Sequence, residues 1–153
     1  MKKESPNNYS NDLRNANNSP QYFLVKSIED TRKELEKLSA QDQLLWGYEQ
    51  FDENFFITTS FGIQSAVLLH MTVDLKSITK PKVIWIDTGY LQKETYVYAE
   101  QLTKLLGLNL VVAQSSISPA RMEALYGCLW ETGEKKDLEK YHHIRKVEPL
   151  ENS

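Results

Sequence analysis

The sequence is short of cysteine and of long apolar runs, and each shortage removes a class of protein. Cys128 is the single cysteine in 153 residues, so one chain can neither close an internal disulfide nor hold a four-thiolate iron–sulfur cluster. No stretch approaches the roughly 20 consecutive apolar residues that a membrane-spanning helix needs. We therefore expect a cytoplasmic protein with no membrane partner.

The chain also has little net charge. Its 18 basic and 21 acidic side chains leave a formal charge of -3, which gives no field that would draw the protein to nucleic acid. We expect no nucleic-acid partner, and a polyanionic ligand would need a local pocket. With 41% hydrophobic residues, a chain of this length can bury a core of ordinary size.

A change of composition near residue 22 predicts the domain organisation. Residues 1–21 are polar, rich in Asn and Ser, and lack the apolar centre of a signal peptide. We interpret them as a disordered arm, and residues 22–153 as one domain. Helical patterns within residues 27–38 and over 40–50 predict two helices at its start.

Three β-prone runs then alternate with helical periodicity. Strands are predicted at residues 55–59, 82–86 and 109–113, with helices over 63–71 and 95–106 between them. This order predicts an α/β fold, a parallel sheet with helices on both faces. Two further helices are expected, from Ser118 to Gly127 and over 137–147, without the additional strand of a typical doubly wound sheet.

The end of the first predicted strand, Ser60-Phe61-Gly62, is the first candidate site. Ligands of open parallel sheets bind at the carboxyl ends of strands, where a loop enters the next helix. Gly62 lets the backbone approach a ligand, and Thr59, Ser60 and Ser65 offer hydroxyl donors for an anion. The alternative is that Ser60 caps the helix and Gly62 eases a turn.

A second polar loop follows the second predicted strand. Asp87, Thr88 and Gly89 are expected at the same edge of the sheet as the first loop, because neighbouring parallel strands end together. Two such loops favour a pocket, although Asp and Gly are also common in ordinary turns.

Four blocks resemble one family in order and spacing: "TTSFGIQSAVLLHM", "VIWIDTGYLQKETYVYAEQLTKLLGLNL", "SPARMEALYGCLWETG" and "LEKYHHIRKVEPL". They are similar to the phosphoadenosine phosphosulfate (PAPS) reductases, which have an adenine nucleotide alpha hydrolase-like fold. The resemblance runs from about residue 52 to residue 150. It implies that the substrate-binding residues are Ser60, Phe61, Gly62, Ile63, Gln64 and Ser65 of a phosphate-binding PP-loop, then Asp87, Thr88, Gly89, Arg145 and Lys146.

The resemblance also implies a reaction, the reduction of PAPS to sulfite and adenosine 3',5'-bisphosphate in sulfate assimilation. A cysteine thiolate attacks the sulfonate sulfur, and thioredoxin or glutaredoxin thiols then release sulfite. No iron–sulfur cluster or other cofactor and no metal are expected, because the cluster-bearing adenosine phosphosulfate (APS) reductases have paired cysteines where this chain has Tyr141 and His142. A homodimer is a further expectation from the family.

The sequence departs from relatives in ways that bear on activity. PP-loop ATP pyrophosphatases resemble Ser-Gly-Gly-x-Asp-Ser, whereas Phe61 and Gln64 stand here at the first Gly and the Asp, which argues against adenylyl transfer. The family's nucleophilic cysteine is expected beyond Ser153, and nothing near Cys128 is arranged to activate it. We therefore expect the nucleotide-binding portion of a reductase, or alternatively a nucleotide-binding remnant without catalysis.

Overall fold

A computed structural model describes residues 27–75 and 80–153. The predicted disordered arm, residues 1–21, lies outside the described residues. The elements are α1 Ile28–Leu35, α2 Ala40–Phe51, a 3-10 turn Asp52–Asn54, β1 Phe56–Thr59, α3 Ser65–Val73, β2 Lys82–Asp87, α4 Lys93–Leu106, β3 Asn109–Gln114, α5 Pro119–Tyr126, α6 Lys135–His142, a π-helical turn His143–Val147 and α7 Glu148–Glu151.

The chain divides into two compact units, Met1–Leu38 and Ser39–Ser153. Within the first, α1 begins where the hydroxyl of Ser27 accepts a hydrogen bond from the backbone N–H of Asp30, a standard N-cap that satisfies one free donor. The helix fully buries none of its side chains, and surface ion pairs such as that of Arg32 with Glu36 add to the stabilisation by the cap.

The second unit contains a parallel sheet of three strands in the order β1-β2-β3. Thr59 pairs with Trp85 and Asp87 pairs with Gln114, so the carboxyl ends of the strands share one edge. The three predicted strands and their parallel order are confirmed, with boundaries that differ by one residue. Because the strands lie in consecutive order and strand–helix–strand connections between parallel strands are right-handed, α3 and α4 lie on the same face of the sheet.

Helices pack on both faces of the sheet. Val83 and Trp85 face the main core, where they meet Leu69 of α3 and Ala99 and Leu102 of α4. Side chains alternate along a strand, so Ile84 points to the opposite face, where it is also buried. Both the π-helical turn and α7 contact β2, and they complete the layers that the sequence predicts.

Several helix boundaries differ from the sequence prediction by two residues or more, and two of these differences have a local structural cause. α3 begins at Ser65, two residues later than expected, because Phe61 adopts a left-handed conformation (φ 53°) and residues 62–65 form a turn closed by the Ser65 N–H on the Gly62 carbonyl. The last helix continues past Val147, since Pro149 lies in the first turn of α7, where its missing N–H is tolerated.

Across the described residues, no helix combines the length and the apolar content needed to cross a membrane.

Two leucines of α4 give a matched test of this packing. Leu102 is 8% exposed in the core, whereas Leu105 is 80% exposed on the same helix. We expect Leu102→Ala to lower the free energy of unfolding by about 2–5 kcal/mol, the usual cost of a truncated core leucine. Leu105→Ala should change it by less than about 0.5 kcal/mol. Urea unfolding followed by circular dichroism measures both, and equal losses would contradict the assigned core.

Candidate functional site

Phe61 anchors the loop between β1 and α3 by packing its side chain against the sheet. Its ring is 4% exposed and packs edge-on against Trp85, with ring centroids 5.1 Å apart. Its backbone N–H donates to the hydroxyl of Thr59 at 3.0 Å. The buried ring holds the loop to the sheet, and Ser60 and Gly62 remain exposed above it.

Two hydroxyls flank the exposed backbone of Gly62. A Cβ at this position would lie 3.6 Å from Oγ of Ser60 and 4.0 Å from Oγ of Ser65. The N-cap of α3 is Gln64, whose side chain makes no capping bond, so Ser60 does not cap the helix. The loop thus presents two hydroxyls and a helix N-terminus, a combination suited to an anion.

Asp87 holds the second loop in place at the end of β2. Its Oδ1 accepts hydrogen bonds from the Gly89 N–H at 2.8 Å and the Tyr96 hydroxyl at 2.7 Å, and its Oδ2 accepts from Nε2 of Gln114 at 2.7 Å. Burial alone would raise the pKa of this carboxyl, but these hydrogen bonds and the charge of Arg145 hold the pKa below its ordinary value. Asp87 is therefore a fixed anion.

Gly89 brings the second loop against α5. Its φ is 76°, and a Cβ there would lie only 2.6 Å from Cγ of Pro119, so only glycine fits both the conformation and the contact. The preceding residue, Thr88, is 8% exposed. These contacts fix where Thr88 lies.

The two loops meet around a cleft of about 430 Å³. Its polar side consists of hydroxyls from both loops, and Lys146 of the π-helical turn supplies a cation. Trp85, Ile86 and Leu91 add an apolar side. The complete lining is Thr58, Thr59, Ser60, Ser65, Trp85, Ile86, Thr88, Leu91 and Lys146. Hydroxyls, a cation and an apolar surface together are the chemistry that an anionic ligand with a flat ring requires.

Five of the residues predicted from the sequence line this cleft: Thr59, Ser60, Ser65, Thr88 and Lys146. The prediction did not include the apolar side of the cleft. Trp85 is also a packing residue, because its ring contacts both Phe61 and Tyr96. The place of the apolar lining residues in the sequence could have indicated that they line the cleft. Trp85 and Ile86 lie near the carboxyl end of β2, and Leu91 follows the loop after it.

The other predicted residues lie deeper or point outward. Phe61, Asp87 and Arg145 are buried, so they support the cleft from beneath. Ile63 is 93% exposed, and Gln64 is also exposed. Neither side chain is among the residues that line the cleft.

Arg145 is a buried cation that links three parts of the site. Its Nη1 donates to the Ile117 carbonyl at 2.7 Å, and the centre of its guanidinium lies 5.4 Å from the ring of Tyr90. The Tyr90 hydroxyl donates to Glu123 at 2.8 Å. Burial and this bond to Glu123 raise the pKa of Tyr90, while the guanidinium opposes that rise.

Cys128 lacks the features of an activated thiol. It is half-buried, and burial together with the charges of Glu131 and Glu123 raises its pKa. A higher pKa leaves less thiolate at neutral pH. Among the described residues, no three His, Cys, Asp or Glu side chains come together as metal ligands.

Replacing Asp87 tests whether its charge holds the second loop. Asp87→Asn keeps the shape but presents an N–H₂ group to Gln114, and we expect a loss of about 1–3 kcal/mol in unfolding free energy at neutral pH. Because the folded-state pKa is depressed, the stabilisation is complete above the ordinary value of 3.8 and is lost as pH falls through the folded-state pKa.

The variant should therefore lose less stability than the wild type on acidification below that value. Thermal unfolding across acidic pH measures this difference. Asp74→Asn, a change at an exposed position, is the control and should keep the wild-type pH profile. An unchanged profile in Asp87→Asn would show that the carboxylate does not have this role.

Comparison with known proteins agrees with this geometry. A family model described as "Phosphoadenosine phosphosulfate reductase domain" matches residues 54–153. A phosphoadenosine 5'-phosphosulfate reductase of Synechocystis sp. is 50% identical over 120 residues, covering 78% of this chain and 47% of the relative. Its counterpart in Erwinia tasmaniensis is 44% identical over 139 residues, covering 91% and 56%.

A solved structure is similar as well. The phosphoadenylyl-sulfate (PAPS) reductase from Candida auris, in a phosphate complex, superposes with a TM-score of 0.67 and 26% identity, covering 84% of this chain and 62% of that one. The chain spans about half the length of the curated relatives it matches. Since the family match takes in all three strands and both loops of the cleft, this chain belongs to the phosphoadenosine phosphosulfate reductase domain family.

Proposed function

We propose that this chain supplies the nucleotide-binding part of a thioredoxin-dependent reductase that converts PAPS to sulfite and adenosine 3',5'-bisphosphate. The observation that carries the proposal is the cleft at the carboxyl edge of β1 and β2, where Gly62 lies between the hydroxyls of Ser60 and Ser65 and Lys146 supplies a cation. The names of the relatives supply the substrate.

The two sides of the cleft suit the two parts of this ligand. Phosphate and sulfonate oxygens accept hydrogen bonds, so they would occupy the polar side, with Ser60, Ser65 and the N-terminus of α3 as donors. The adenine would lie against Ile86 and Leu91, the half-buried apolar residues of the lining. Lys146 would neutralise part of the negative charge, including the 3'-phosphate that distinguishes PAPS from APS.

The proposed reaction uses a thiolate that these residues do not provide. Attack on the sulfonate sulfur forms an S–S bond and breaks the S–O bond to the phosphate, and adenosine 3',5'-bisphosphate leaves. A dithiol of thioredoxin or glutaredoxin then releases sulfite as it becomes oxidised to a disulfide. The cleft assists by stabilising negative charge on the departing phosphate. No cofactor takes part in this proposal.

The properties of Cys128 favour a second candidate, nucleotide binding without catalysis by this chain. Cys128 is not among the residues that line the cleft, and its raised pKa disfavours the thiolate, so the chain would bind nucleotide and release no sulfite by itself. Supplying PAPS and reduced thioredoxin to this chain and assaying sulfite tests the second candidate. Sulfite release that is lost in Cys128→Ser would overturn it, whereas nucleotide binding without sulfite would support it.

Gly62→Ala tests whether a ligand occupies the space between the two hydroxyls. The added methyl group meets ordinary van der Waals distances, so we expect the melting temperature to stay within a few degrees of wild type. The same methyl group would occupy space needed by a phosphate, and affinity for adenosine 3',5'-bisphosphate should fall about tenfold or more. Calorimetric titration measures the affinity. Unchanged affinity would place the ligand elsewhere.

Selectivity for the extra phosphate tests the part assigned to Lys146. Adenosine 3',5'-bisphosphate should bind more tightly than AMP, by about tenfold for one charge-assisted contact. Lys146→Gln should remove most of that difference and leave AMP affinity nearly unchanged. Lys136→Gln, at an exposed position outside the cleft lining, is the control. A preference that persists in Lys146→Gln would assign the contact to another group.

A further inference from the structure

Arg145 and Lys146 are adjacent, but the π-helical turn sends them to different environments. Arg145 is 2% exposed, whereas Lys146 is exposed and lines the cleft. The turn is defined by the bond from the Glu148 N–H to the His143 carbonyl five residues back. Such turns are rare and concentrate at functional sites. The question is what the buried cation does for its exposed neighbour.

The buried guanidinium is costly to keep and only partly compensated. A buried charge requires partners, yet Nε and Nη2 have no hydrogen-bond partner among the residues that the structure describes. What it has are the Ile117 carbonyl on Nη1, the ring of Tyr90 and the charge of Asp87. Ile117 lies in the connection after β3, Tyr90 lies in the loop after β2, and Asp87 is the last residue of β2.

From these contacts we infer that Arg145 is a positioning residue for nucleotide binding, and that it acts through Lys146. Its guanidinium ties the π-helical turn to Ile117 and to Tyr90, so the backbone that carries Lys146 is fixed relative to the cleft. Arg145 itself is absent from the cleft lining and does not touch the ligand. This inference rests on the proposed function, since it concerns the same cleft.

A double-mutant cycle separates this role from direct binding. We expect Arg145→Met, which keeps most of the side-chain volume but removes the charge and the bond to Ile117, to weaken adenosine 3',5'-bisphosphate binding about tenfold. In a Lys146→Gln background the same change should alter affinity less than about twofold, because coupled residues are not additive. Additive losses would show that Arg145 contacts the ligand, and unchanged affinity in the single variant would overturn the inference.

Further variants complete the test. Arg145→Lys retains a cation that can reach the Ile117 carbonyl, so it should recover part of the lost affinity. If Arg145→Met does not fold by circular dichroism, Arg145→Gln, which also removes the charge, replaces it in the cycle. Arg121→Met, at an exposed position of α5, is the control and should bind as wild type. If wild type itself fails to bind adenosine 3',5'-bisphosphate, the proposed function fails instead.

Discussion

The carboxylate of Asp87 is the interaction on which the site depends. Its three hydrogen bonds join the end of β2 to the following loop at Gly89, to α4 at Tyr96 and to β3 at Gln114. No other described carboxylate links so many elements at this edge of the sheet. Because the charged form accepts these bonds and the pKa of Asp87 is lowered, the carboxylate holds these elements together at neutral pH.

Contacts on the side away from the cleft hold both loops in place, so the residues that line the cleft can be small. Phe61 packs on Trp85, and Gly89 lies directly against Pro119, so both loops are held by contacts that do not face the cleft. Ser60, Gly62 and the start of α3 can then present donors without large side chains of their own. Such preorganisation lowers the ordering cost of binding an anion.

The sequence was informative where a feature is local and periodic. Alternating strand and helix patterns predicted three parallel strands, and the polar loops after β1 and β2 predicted where Ser60 and Thr88 would meet. It was less informative where packing decides the outcome. Nothing in the pattern of residues 137–147 distinguishes a π-helical turn from an α-helix, so the burial of Arg145 beside the exposed Lys146 could not be predicted. The dual role of Trp85, in the core and in the cleft lining, likewise depends on tertiary contacts.

The central claim is that the carboxyl edge of β1 and β2 binds a phosphorylated adenine nucleotide. Amide NMR spectra recorded while adenosine 3',5'-bisphosphate is added to the chain test it most directly, because every backbone N–H reports its own surroundings. We predict the largest shifts at Ser60, Gly62, Ser65 and Thr88, with little change in α1. Saturable shifts confined to other regions, or none at all, would contradict the claim.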